Sequence, residues 1–70
     1  MAWLENFRDN LRSALNAKGM TQQQLAQESG LHFVTVSRIL GGIISPSVET
    51  CERLASAVGI DSPKIFSEKR

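Results

Sequence analysis

The sequence predicts an all-α domain of five short helices, and three observations carry that expectation. Apolar residues recur at intervals of three and four along most of the chain. No stretch alternates apolar and polar residues as a strand does. A Gly, or a Ser, Thr or Asp able to cap a helix, stands at each break in the pattern. Seventy residues, 41% of them hydrophobic, supply a single core. A chain of this size buries only about 60% of the surface it exposes when unfolded, so an enclosed active site would compete with the core for the same few residues.

Helix 1 is expected from about Trp3 to Lys18, where Leu4, Phe7, Leu11, Ala14 and Leu15 share one face and Arg8, Asp9, Arg12, Asn16 and Lys18 lie elsewhere. Gly19 ends it. Thr21 is placed to accept hydrogen bonds from the free amides of helix 2, which covers about Gln22 to Glu28. Ser29-Gly30 then turns the chain into a third stretch, His32 to Leu40, with Val36, Ile39 and Leu40 in one stripe and Gly41-Gly42 at its end. Ile43 to Pro46 reads as a loop. Ser47 can cap a fourth helix whose stripe is Val48, Cys51, Leu54, Ala55 and Val58, stopping at Gly59. Asp61 or Ser62 can cap a last short helix, with Pro63 tolerated in its first turn and Ile65 and Phe66 as its apolar pair. One domain over residues 1–66 and a frayed tail over 67–70 follow.

The densest information lies between Gln22 and Leu40. Ala26 allows two backbones to approach closely, Gly30 four residues later permits a left-handed turn, and Leu25, Leu31, Val36 and Ile39 fill the angle between two crossed helices. That is the pattern of a helix-turn-helix. At 100° per residue, Val34, Ser37 and Arg38 cluster opposite Val36 and Ile39, so they meet solvent or a partner.

Charge and cysteine content narrow the chemistry. Eight Lys and Arg against seven Asp and Glu leave a net charge of +1, too close to neutral for the total to argue for a polyanion. The distribution says more: residues 8–45 hold Arg8, Arg12, Lys18 and Arg38 against Asp9 and Glu28, whereas residues 46–70 balance. The helix-turn-helix half is the basic half. One cysteine, Cys51, excludes an intrachain disulfide, and with one histidine, His32, leaves no structural zinc cluster. No metal or cofactor is expected. Acid arrives at Glu5 before any apolar run, and no stretch approaches the roughly 18 apolar residues of a membrane span, so a cytoplasmic protein on the nucleoid is the expectation. No nucleophile-base pair, paired carboxylates or phosphate loop can be assembled, which argues against an enzyme.

Four segments together resemble the lambda-repressor-like, Cro/cI-type helix-turn-helix domains of phage and bacterial regulators: Lys18 to Ala26, Ser29 to Leu31, Val36 to Ile39, and Pro46 to Thr50 with Leu54-Ala55 and Val58-Gly59-Ile60. The resemblance spans most of the chain. It implies five helices, the third laid in the major groove of DNA and the second across the backbone above it.

Position by position, the resemblance puts Phe33, Val34, Ser37 and Arg38 where the family reads bases. A guanidinium at Arg38 suits guanine or a phosphate, and Val34 offers only apolar contact, which in the major groove means a thymine methyl. Phe33 sits at the edge of the core stripe, where packing inward and touching DNA are both open. Relatives often carry polar residues at 33 and 34, so their polar base contacts do not transfer. For phosphates, Thr21 and Gln22 stand at a helix N-terminus, where the dipole and free amides favour an anion, and Gln22 resembles the family's phosphate-contacting glutamine. Arg8, Arg12, Asn16 and Lys18 are candidates to reach the same strand from helix 1. Relatives often have basic residues after helix 3; Ile43-Ile44-Ser45 stands there instead, which leaves the backbone amides of Gly41 to Ser45, with Gly42 and Ile43 as the candidate contacts, for that work. A family Arg–Glu pair is replaced by Leu15 and Leu40, a swap that removes two desolvation costs with the Coulomb attraction.

Ile43, Ile44, Ile60, Ile65 and Phe66 exceed what a small core obviously needs and are the candidate dimer surface, with closure of the core as the alternative for the last three. Trp3 is a candidate anchor for helix 1, Cys51 a small core residue, and His32 a weak cap. The expected function is a DNA-binding repressor or Cro-like regulator acting as a homodimer on a double-stranded operator. The competing reading is an antitoxin-type protein that binds a toxin partner through a surface such as Ile43-Ile44 and autoregulates through DNA.

Overall fold

A computed structural model describes residues 2–60 and 65–66 and, among them, forms four helices and no strand: α1 (Ala2–Lys18), α2 (Gln22–Ser29), α3 (Phe33–Leu40) and α4 (Val48–Val58). The expected fifth helix, with its caps Asp61 or Ser62 and Pro63, and the expected tail over 67–70 fall outside the described residues, apart from Ile65 and Phe66. The all-α expectation holds. His32, expected to open the third stretch as a weak cap, stands just before the helix as its N-cap with extended backbone and makes no side-chain capping bond.

The helices pack around Phe7, Leu11, Leu25, Val36, Ile39, Cys51, Leu54, Val58 and Ile65, all essentially removed from solvent. Each belongs to the apolar stripe the spacing picks out in its own segment. Val48 departs from its stripe and is 69% exposed, because it opens α4 before the buried face closes on the core. Leu15 and Leu40 are both buried in the same apolar cluster. α2 packs on α3 and α4, and α1 on α4 and α3.

The α2–α3 turn is built as its residues require. Ala26 is buried, its carbonyl accepts from the Leu31 amide at 3.0 Å, and Gly30 holds φ +75° between them. A β-carbon is disfavoured in that left-handed conformation, so glycine sets the angle at which α3 leaves α2. Ser29 is buried with them and its hydroxyl donates to the Ala26 carbonyl.

Residues 65–66 lie against α1. Asn10 donates its side-chain amide to the Ile65 carbonyl at 2.8 Å, and Asn6 donates to the Phe66 carbonyl at 3.4 Å. Phe66 stacks on Phe7 with centroids 5.9 Å apart and meets Trp3 edge-on at 5.7 Å. Ile65 is fully buried, which removes it from the candidate dimer surface; Ile60 and Phe66 are half-buried against the core.

Candidate nucleic-acid interface

The start of α2 and the outer face of α3 build the site. At the start of α2, the Thr21 hydroxyl accepts from the Gln24 amide at 3.1 Å while the Gln24 side chain accepts from the Thr21 amide at 2.8 Å. This reciprocal capping box satisfies two donors and leaves the Gln22 and Gln23 amides as the open donors of that turn among the described residues. An open cleft of about 510 Å³ lies beside it, lined by Arg12, Leu15 and Asn16 of α1, Met20, Thr21, Gln22 and Leu40. A guanidinium, two side-chain amides, a hydroxyl and the positive end of a helix dipole thus face one space, a set of donors suited to an anion.

The second element is the outer face of α3. Val36, Ile39 and Leu40 point into the core, which leaves Phe33 50% exposed, Val34 54% exposed, Arg38 exposed and Ser37 partly so. Phe33 therefore does not close the core.

The expected phosphate residues divide. Arg12, Asn16, Thr21 and Gln22 converge on the cleft. Arg8 does not; its guanidinium lies over Gly42, with Nη1 3.1 Å from where a β-carbon on that glycine would stand. Lys18 is not among the cleft residues either; its Nζ is 3.6 Å from the corresponding point on Gly59, which ends α4. The Gly42 and Ile43 amides are also lost to the role. Gly42 N–H donates to the Ile39 carbonyl at 3.2 Å and Ile43 N–H to the Arg38 carbonyl at 2.9 Å, closing α3 through Gly42 at φ +77°. A donor already spent on a helix carbonyl is not available to a phosphate. Sequence reasoning missed Met20 as a wall of the cleft and missed that Arg12 donates to the Leu40 carbonyl.

A further open cleft between α2 and α4 carries Glu28, Glu49 and Glu52 against Arg53, which pairs with Glu49 at 3.4 Å in largely exposed positions. Three carboxylates there repel a polyanion, so charge alone distinguishes the α2–α4 face from the cleft at Thr21.

A sequence model of the helix-turn-helix family matches residues 11–65, most of the chain. The chain belongs to the lambda-repressor-like, XRE-type helix-turn-helix family. No curated protein and no solved structure matches it. This helix-turn-helix protein is accordingly a DNA-binding transcription regulator of the XRE type, with α2 and α3 as the motif. Among its described residues no helix is long and apolar enough to cross a membrane, and no group of His, Cys, Asp and Glu is arranged to hold a metal ion. Cys51 of the regulator is buried, and burial, with a smaller push from Glu52, raises its thiol above the ordinary range.

Proposed function

We propose that this regulator reads a double-stranded operator as a homodimer in the manner of a repressor or Cro-like protein, with α3 in the major groove. The observation that carries the reading is the meeting of two surfaces. The donor-lined cleft of Arg12, Asn16, Thr21 and Gln22 is bounded by Leu40, the last residue of the same helix that presents Val34, Ser37 and Arg38 to solvent. A phosphate seated at the α2 N-terminus would fix the register of α3, and base edges would supply the sequence information.

Arg38 offers bidentate pairing to guanine or a contact to phosphate. Val34 and Phe33 offer apolar contact alone, which selects thymine by its methyl group. With few cations turned to the cleft, few counterions are released, so the salt dependence is shallow and useful affinity requires two copies. Ile43, 74% exposed, and the less exposed Ile44 are the apolar residues for that contact, with the half-buried Ile60 and Phe66 as further candidates.

Enrichment of binding sites from a random duplex library at about 50 mM salt, where electrostatic attraction is strong, tests the reading. The expected result is a pair of related half-sites about 10 base pairs apart. Absence of enrichment over bulk DNA overturns it.

A further inference from the structure

Arg8 and Arg12 stand four residues apart on α1, hence on one face, and both guanidinium groups reach the end of α3 rather than solvent alone. The carbonyls of that end can be counted. Those of Ser37, Arg38 and Ile39 accept from the Gly41, Ile43 and Gly42 amides at 2.9, 2.9 and 3.2 Å. The fourth, on Leu40, is the one the local closure leaves over, and it accepts from Arg12 Nη2, 28 positions earlier in the chain. Arg8 covers the next turn, its guanidinium atoms 3.1 to 3.8 Å from the point where a β-carbon on Gly42 would stand. A helix C-terminus carries partial negative charge, so two cations against it are favourable independently of the hydrogen bond.

The geometry points to Arg12 as a positioning residue for DNA reading: its guanidinium ties α1 to the last carbonyl of α3 and thereby fixes where Val34, Ser37 and Arg38 sit relative to the cleft at Thr21. The inference rests on α3 being the reading helix. It assigns Arg12 a role different from the simple phosphate contact its charge suggests. Val36, Ile39 and Leu40 hold α3 by apolar packing, which is non-directional; the Arg12 bond to the Leu40 carbonyl adds a directional tether at the end of the helix. The tether also belongs to the cleft wall, so the phosphate seat and the reading helix share one side chain.

The test compares the wild-type protein with Arg12→Met and Arg12→Lys, measuring affinity for the enriched site and for random duplex DNA over a series of salt concentrations. For Arg12→Met, the ratio of specific to random affinity is expected to fall by about tenfold, the scale of one mismatched base pair. Arg12→Lys, which can still donate to the Leu40 carbonyl, is expected to restore most of that ratio. In the DNA-free protein, amide exchange at Gly41, Gly42 and Ile43 is expected to quicken in Arg12→Met and not in Arg12→Lys. An unchanged affinity ratio, with the salt slope lower by about 0.9, makes Arg12 a phosphate contact only and overturns the proposal. Unchanged amide exchange overturns it as well. A wild-type protein that does not discriminate between sites sinks the DNA-reading assignment itself, a distinct result seen before any variant is made. Should Arg12→Met prove too unstable to assay, Arg12→Ala, which likewise has no side-chain donor, carries the same comparison.

Discussion

The side-chain amide of Asn10 donates to the carbonyl of Ile65 at 2.8 Å, joining residues 55 positions apart. Through this bond α1 holds the segment that completes the core, since Ile65 is fully buried and Phe66 stacks on Phe7. Replacing Asn10 by Ala leaves a part-buried carbonyl without its partner and is expected to cost about 1–2 kcal/mol. Thermal denaturation measures the loss. Trp3 fluorescence should shift to the red with it, because its ring meets Phe66. An unchanged melting temperature would mean that the bond contributes nothing net.

Thr21 and Ser47 cap their helices alike, each accepting from the amide three residues on, at 3.1 and 3.2 Å. Thr21→Ala and Ser47→Ala are each expected to lose about 1 kcal/mol of stability. Only Thr21 borders the donor-lined cleft, so only Thr21→Ala should also weaken DNA binding at a temperature where both variants are folded. Equal binding by the two variants would separate the cleft from DNA.

At Gly30 a β-carbon would find Arg53 Nη1 at 3.9 Å, an ordinary contact, so the cost of Gly30→Ala lies in the backbone. A left-handed residue with a β-carbon costs about 1–2 kcal/mol, and asparagine tolerates the conformation better. Chemical denaturation should therefore rank the variants glycine, asparagine, alanine. Alanine equal to glycine would show that the turn relaxes to another conformation.

Burial first, and Glu52 second, push the Cys51 thiol above its ordinary range. A group whose folded pKa is raised holds its proton more tightly when folded. The stabilisation is therefore complete below the thiol's unfolded value, about 8.5, and is lost as pH rises toward and through the folded one. Stability measured from pH 7 to 10 is expected to fall at the alkaline end, and Cys51→Ala should flatten that part of the profile while lowering the plateau. Thiol reagents should modify native Cys51 only as fast as the core opens. Rapid modification of the folded protein would contradict the buried placement.

Val34 exposes apolar surface on the face of α3 opposite the core. Val34→Ala shortens it without changing polarity, so preference for thymine at one position of each half-site is expected to weaken while other positions hold. Repeating the site enrichment with the variant checks this, and an unchanged preference at every base would remove Val34 from the reading surface.

Helices, caps and core stripes were legible because each depends on residues within one or two turns. Thr21 with Gln24, Ser47 with Thr50, and the α3 stripe of Val36, Ile39 and Leu40 are such local patterns. Long cations were not legible in this way. Arg8, Arg12 and Lys18 share a helix, yet they end at Gly42, Leu40 and Gly59, because a flexible side chain settles on whichever carbonyl end the tertiary packing brings near. The Gly42 and Ile43 amides were misjudged for a related reason: Gly41-Gly42 marks a helix end, but only the geometry of the closure shows which amides it consumes. Ile65 was ambiguous because an apolar residue near a chain end fits a core and an interface equally well by composition.

The stretch that matches the family begins at residue 11, whereas Phe7, fully buried, precedes it and Phe66, its stacking partner, follows its end. What is recognisable by ancestry and what can stand alone as a cooperative unit therefore have different borders. A graft or minimal fragment cut to the matched residues would open the underside of the core and lose Asn10, the side chain that holds Ile65 down. Transplanting this helix-turn-helix domain onto another protein thus means carrying α1 from its first turn.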